Sequence, residues 1–214
     1  MLAAVLPLLF SLSSVSAQQI GTKIPEVHPK LTTQRCTRGG GCREVQTTLV
    51  TDALARQLHE VNNPDVACSV TNRTQCPDPE TCSKNCALEG IDYKAIGVST
   101  QGSALTLNLF MPAANGSLST VSPRVYLLGA DEQNYEMLRL VNQELTYDVD
   151  MSKAGCGVNG ALYLSEMEAS GARSDANRAG AAYGTGYCDA QCFNTTFING
   201  LVRHPPFCPP EHNP

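Results

Sequence analysis

The residues best equipped for chemistry lie late in the chain, in Ala181-Ala182-Tyr183-Gly184-Thr185-Gly186-Tyr187-Cys188-Asp189-Ala190-Gln191-Cys192. Nowhere else do aromatic, amide, carboxylate and thiol groups crowd so closely. Gly184 and Gly186 let the backbone bend, while Tyr183 and Tyr187 each offer a flat apolar ring with a hydroxyl at its tip. In an extended backbone, alternate side chains share a face, so Tyr187, Asp189 and Gln191 would project together and Cys188 and Cys192 would serve the other side. Ring stacking combined with carboxylate and amide hydrogen bonds suits a neutral sugar. A disulfide-anchored loop whose tyrosines cover core would use the same residues, and the stretch alone leaves both readings open. Metal chemistry fits poorly. The four histidines, His28, His59, His204 and His212, are scattered, and His59-Glu60 has no second histidine at zincin spacing. No metal or cofactor is expected.

The elements that must position these groups belong to an exported chain. Leu2 to Leu12 is a short apolar run followed by the small residues Val15-Ser16-Ala17, which marks residues 1–17 as a signal peptide and Gln18 as the mature start. The run is too short to span a bilayer, so no membrane association is expected after cleavage. Ten cysteines, an even number, imply disulfides in an oxidising compartment. Sequons at Asn72, Asn115 and Asn194 agree with a glycosylating, eukaryotic secretory route to the extracellular space. A formal charge of −5 argues against nucleic acid or an anionic membrane surface as partner. The 214 residues suffice for one domain with a real core.

Along the chain, Cys36 and Cys42 bracket Thr37-Arg38-Gly39-Gly40-Gly41, a pattern for a tight turn closed by a local disulfide. From Arg43 to Asp52, Val45, Thr47, Leu49 and Thr51 alternate as on a strand, whereas Asp52 to Val61 is ambiguous between helix and strand. Cys68, Cys76, Cys82 and Cys86 form a knot around a short helix, with Thr81 as its cap and Gly90 as its end. Beyond Gly97 the pattern is strand throughout: Leu105 to Leu109, Arg124 to Leu128, Tyr135 to Leu140, Glu144 to Met151 and Gly160 to Ser165. In the last of these, Leu162 and Leu164 are expected to face the core and Tyr163 the outside. Many strands and few helices predict an all-β sandwich. Residues 202–214 carry five prolines and read as a divergent tail.

Four long motifs carry a resemblance: Glu26 to Thr33, Cys76-Pro77-Asp78-Pro79-Glu80-Thr81-Cys82-Ser83-Lys84-Asn85-Cys86, Cys156-Gly157-Val158-Asn159-Gly160-Ala161-Leu162-Tyr163, and Ala181 through Phe197-Ile198-Asn199-Gly200. In order and content they resemble fungal glycoside hydrolase family 7 cellulases, over residues 18–201 and the amino-terminal half of the family only. The resemblance implies a partial concanavalin A-like β-sandwich, or jelly roll, with a disulfide-stapled helix, acting as a monomer on a cellulose (β-1,4-glucan) chain. The family hydrolyses with retention through a Glu-x-Asp-x-x-Glu strand, which holds two carboxyls about 5–5.5 Å apart. That motif does not occur in these 214 residues. Glu166-Met167-Glu168 lacks the third carboxylate and occupies an ordinary strand end in the family order, and Asp148-Val149-Asp150 reads the same way. No catalytic residue is therefore assigned, and the chain by itself is expected not to hydrolyse glucan.

By resemblance, Arg124, Asn159, Tyr163, Tyr187, Asp189 and Gln191 line the glycone side of the groove, with Arg and amides bonding hydroxyls and tyrosines packing on rings. The absence of tryptophan removes the indole platforms that processive members place near Ala55 and Gln57. Phe193-Asn194-Thr195-Thr196-Phe197 lacks the charges of tunnel-forming members, and both departures favour the open-groove endo-β-1,4-glucanase type. The resemblance pairs Cys36 with Cys42, Cys68 with Cys86, and Cys76 with Cys82, leaving Cys156, Cys188, Cys192 and Cys208 without assigned partners. A glucan-binding protein without catalysis is the alternative. Its weakness is that half a sandwich exposes strand edges and apolar sheet.

Overall fold

The computed structural model describes residues 19–69, 72, 74–174 and 177–187. The expected signal peptide, the proline-rich tail, Cys188, Cys192, Cys208 and Asn194 lie outside them. In chain order come β1 (Gln19–Ile20), β2 (Lys30–Thr37), β3 (Gly41–Thr51), a 3-10 turn (Ala53–Ala55), β4 (Leu58–Glu60), β5 (Asn63–Ala67), α1 (Pro79–Asn85), β6 (Cys86–Leu88), β7 (Val98–Gln101), β8 (Ala104–Leu107), β9 (Phe110–Pro112), β10 (Leu118–Thr120), β11 (Val125–Leu128) and a second 3-10 turn (Ala181–Tyr183). The described chain is thus all-β, with one short helix.

β3 organises the rest. It pairs antiparallel with β2 on one side and β11 on the other, in the order β11-β3-β2. Its hairpin to β2 places Cys36 opposite Cys42, where they form a disulfide, and Gly41 takes a left-handed φ of +68° at the tip. From Thr47 to Thr51 both faces of β3 are buried, as befits a central strand covered on each side. Parity divides two cores. Val50 opposite Tyr126, with Leu128, faces a cluster containing Tyr135, Met167 and Ala181; Leu49 opposite Leu127, with Val125, faces Tyr93 and Val98. Each such aliphatic side chain contributes about 1.5–3 kcal/mol by leaving water.

The ambiguous piece after β3 divides into two elements. Asp52 caps the 3-10 turn by accepting the Leu54 N–H at 2.7 Å, and the chain then extends into β4, which pairs with β5 and β6. α1 starts one cap earlier than the sequence suggests, because the Asp78 carboxylate accepts the Thr81 N–H at 2.8 Å ahead of Pro79. Thr81 is not the cap; its hydroxyl donates to Asp78 at 2.8 Å. Nor does Gly90 end the helix. Cys86 already lies in β6, drawn out by pairing with Glu60 and by its disulfide to Cys68. Cys76 and Cys82 close the third bridge, so the clustered sulfurs of Cys76, Cys82 and Cys86 are all committed to disulfides and offer no thiolate.

Two buried carboxylates tie the segment after β1 to this sheet. Glu89 accepts the N–H groups of Ile24 at 3.1 Å and Gly90 at 3.0 Å, and meets His59 Nε2 at 2.8 Å. Glu26 accepts both terminal nitrogens of Arg56, at 2.5 and 2.8 Å, and the Tyr93 hydroxyl at 2.5 Å.

Three expected strands are corrected. Residues 135–140, 144–151 and 160–165 carry period-2 patterns but form no ladder among the described residues beyond a single bridge between Leu128 and Tyr135. Alternation selects which side chains share a face; a strand also needs a neighbour for its N–H and C=O groups. Leu162 and Leu164 are accordingly exposed together with Tyr163, so the expected core side of that segment is not covered. The expected Leu105 to Leu109 strand also breaks after Leu107, where Asn108 donates its N–H to Gly97 at 2.9 Å and the chain turns into β9.

Candidate functional site

The pairing of β3 with β11 builds the site. Val125 is opposite Thr51, so the next pair outward is Arg124 and Asp52, joined by the Asp52 N–H donating to the Arg124 carbonyl at 3.0 Å. Asp52, Arg124 and Tyr126 share parity with Val50 and point to the same face. Asp52 is only 4% exposed. One carboxylate oxygen accepts the Leu54 N–H; the other accepts Arg124 Nε at 2.7 Å, the Tyr126 hydroxyl at 2.5 Å, and Arg124 Nη2. The Arg124 side chain is 42% exposed. Its guanidinium carbon lies 4.3 Å from the centroid of the Tyr187 ring, and Tyr187 stacks on Tyr126 with centroids 5.7 Å apart at 26°.

Tyr187 reaches this position because the stretch before it is packed and turned. Gly184 has φ +75°, and its carbonyl accepts the Ala53 N–H at 3.1 Å; a Cβ there would lie 2.0 Å from the Thr51 carbonyl oxygen. Ala181, Ala182 and Thr185 are buried. Thr185 donates its hydroxyl to Gly171 O at 2.6 Å and accepts Asn177 Nδ2 at 3.0 Å, and its carbonyl accepts the Tyr135 hydroxyl at 2.6 Å. A second arginine–tyrosine stack holds the turn, with Arg56 5.0 Å over Tyr183 and its Nε donating to the Tyr183 carbonyl at 2.9 Å. Within the described residues, Tyr183 covers core and Tyr187 supports a surface arginine.

Burial, followed by the Asp52 charge, pushes the Tyr126 phenol far above its ordinary range, so it remains a donor. Burial alone would lower Arg124, but the adjacent Asp52 carboxylate outweighs it and the net direction is upward. The outcome is a neutral ion pair presenting guanidinium N–H groups to solvent. Tyr187 lies partly buried against Arg124 and Tyr126, and it acts as a rest for the arginine more than as a bare stacking face.

Of the other expected contacts, Asn159 and Tyr163 are exposed on the ladder-free segment, and no hydrogen bond or ring contact ties them to Arg124. Asp189 and Gln191 lie outside the described residues. Glu166 and Glu168 are exposed, while Met167 between them packs into the core. Sequence reading missed Asp52 and Tyr126. Parity with Arg124 across an antiparallel pair was the available signal, but it needed the β3–β11 register.

The sequence model of glycosyl hydrolase family 7 matches residues 20–209. The chain belongs to glycosyl hydrolase family 7. Endoglucanase EG-1 of Hypocrea jecorina is 52% identical over 199 residues, covering 91% of this chain and 43% of that protein. Endo-beta-1,4-glucanase celB of Emericella nidulans is 51% identical over 206 residues, covering 93% and 47%. Among solved structures, the Humicola insolens endocellulase EGI superposes with a TM-score of 0.77 at 48% identity, covering 85% of this chain and 46% of that one. The family 7 chain described here therefore spans less than half the length of these relatives. Its fold is the family's β-sandwich in part.

Proposed function

We propose that this chain forms the glycone-side wall of a β-1,4-glucan groove in a secreted family 7 endo-β-1,4-glucanase, and that these 214 residues bind the glucan without cleaving it. The Arg124–Asp52–Tyr126–Tyr187 cluster supports this reading: buried groups hold an exposed, charge-compensated guanidinium, which family resemblance assigns to sugar contact. Relatives named endoglucanases, together with the lack of tryptophan, support the open-groove type. Retaining hydrolysis would use the two glutamates of a Glu-x-Asp-x-x-Glu strand, about 5–5.5 Å apart. Asn159, Tyr163, Asp189 and Gln191 are assigned to the same wall by family resemblance.

Calorimetric titration with cellotetraose tests the reading. Binding should weaken at least about tenfold in Arg124→Ala, the loss of one charge-assisted contact set, with a lower melting temperature because the buried Asp52 carboxylate loses its counter-ion, and soluble carboxymethylcellulose should release no reducing sugar. Release of reducing sugar would overturn the binding-only assignment. Export is supported by the leader pattern and the three disulfides. Mass spectrometry of the protein from a fungal host should find a start at Gln18 and glycans on Asn72, Asn115 and Asn194.

A further inference from the structure

Asp52 does more than cap a turn. A cap needs one carboxylate oxygen, and Leu54 N–H takes it. The second oxygen gathers Arg124 Nε, Arg124 Nη2 and the Tyr126 hydroxyl. With the Nε edge of the planar guanidinium occupied, its Nη1 end and the remaining Nη2 proton turn outward, and Nη1 makes no hydrogen bond with the described residues. An exposed arginine otherwise samples many rotamers. Asp52 below and Tyr187 beside the guanidinium restrict it to one orientation. Asp52 also cancels its charge. A donor fork with no net charge matches paired hydroxyls of an uncharged sugar ring, whereas an unpaired arginine would favour a carboxylate.

We propose that Asp52 is the positioning and selectivity residue of this site, fixing the Arg124 fork toward neutral glucan and against anionic uronate chains. The proposal rests on the sugar-binding role given to Arg124 above. Its test is made on the full 214-residue chain and on Asp52→Asn, which keeps an oxygen for Leu54 N–H. Nitrogen-15 NMR follows the Arg124 Nε–H, while affinities are measured for cellotetraose and for its C6-oxidised analogue, a cello-uronate tetramer. The wild-type Nε–H should exchange slowly at pH 7 and be lost in Asp52→Asn. Cellotetraose affinity should fall about tenfold in the variant, one charge-assisted contact set, while uronate affinity rises. Equal losses for both ligands would mark Asp52 as merely structural and overturn the proposal, as would an unchanged Nε–H signal. Should Asp52→Asn fail to fold, the wild-type ligand preference decides: cellotetraose above uronate supports the selectivity, and the reverse order refutes it. A wild-type chain that binds neither sugar refutes the binding role of Arg124, and the Nε–H signal then reports the positioning contact separately.

Discussion

Glu89 illustrates how single groups set the acid stability of this chain. It is fully buried; burial would raise its pKa, but the Ile24 N–H, His59, and the Gly90 and Lys23 N–H groups together hold it below the ordinary glutamate value. A carboxyl depressed in the folded state contributes stability above its unfolded pKa, about 4.3, and loses it as pH falls through the folded value. Burial lowers His28 against the raising influence of Glu26, so its contribution fades earlier, as pH drops below about 6.5. Urea unfolding should show Glu89→Gln less stable than wild type by about 1–3 kcal/mol at pH 7, with the gap narrowing below pH ~4, after both proteins have lost the His28 component. Gly184→Ala forces a side chain into a left-handed φ and against the Thr51 carbonyl. It should cost more than about 1 kcal/mol and weaken cellotetraose binding by displacing Tyr187.

Among the elements, α1 and its disulfides are stapled to β6 more than they are packed into a large core. The Cys68–Cys86 bridge spans 18 residues and joins the end of the β5 segment to the start of β6. Replacing both cysteines with serine should cost about 2–4 kcal/mol in equilibrium unfolding, more than Asp78→Ala, which removes one helix cap worth about 1 kcal/mol. The β3–β11 pair is sensitive for another reason. Leu128 is fully buried against Val50 and Tyr135 behind the Arg124 site, so Leu128→Ala should lower stability by about 2–5 kcal/mol.

At the scale of the molecule, one sheet separates two cores, and the site sits on one of its faces. The segment from Met137 to Leu164 contributes little to either core: Val141 is 86% exposed, and Val149, Leu162 and Leu164 each exceed half exposure. Amide hydrogens of residues 144–151 should therefore exchange orders of magnitude faster than those of Val50 and Leu127, which sit in paired strands. Comparable protection in both would contradict the ladder-free description. Lysine at Val141 and Val149 should raise solubility with no fall in melting temperature, since neither side chain is packed.

By itself the sequence determined the class of chain, the β3 and β11 strands and the local Cys36–Cys42 bridge, while family resemblance supplied the Cys68–Cys86 and Cys76–Cys82 pairings. These depend on local patterns: period-2 alternation, cysteine spacing and long motifs read within a few residues of one another. Only the tertiary structure decided that Asp78 and not Thr81 caps α1, that Asp52 splits the ambiguous piece into a turn and a strand, and that the patterned segments after Tyr135 lack a ladder. It alone brought Asp52 to Arg124, 72 residues apart, and placed Tyr187 against both Tyr126 and the guanidinium. The physical reason is the same in each case. Alternation states which side chains share a face, while strand register and competing hydrogen-bond partners, set by contacts distant in sequence, state what that face meets.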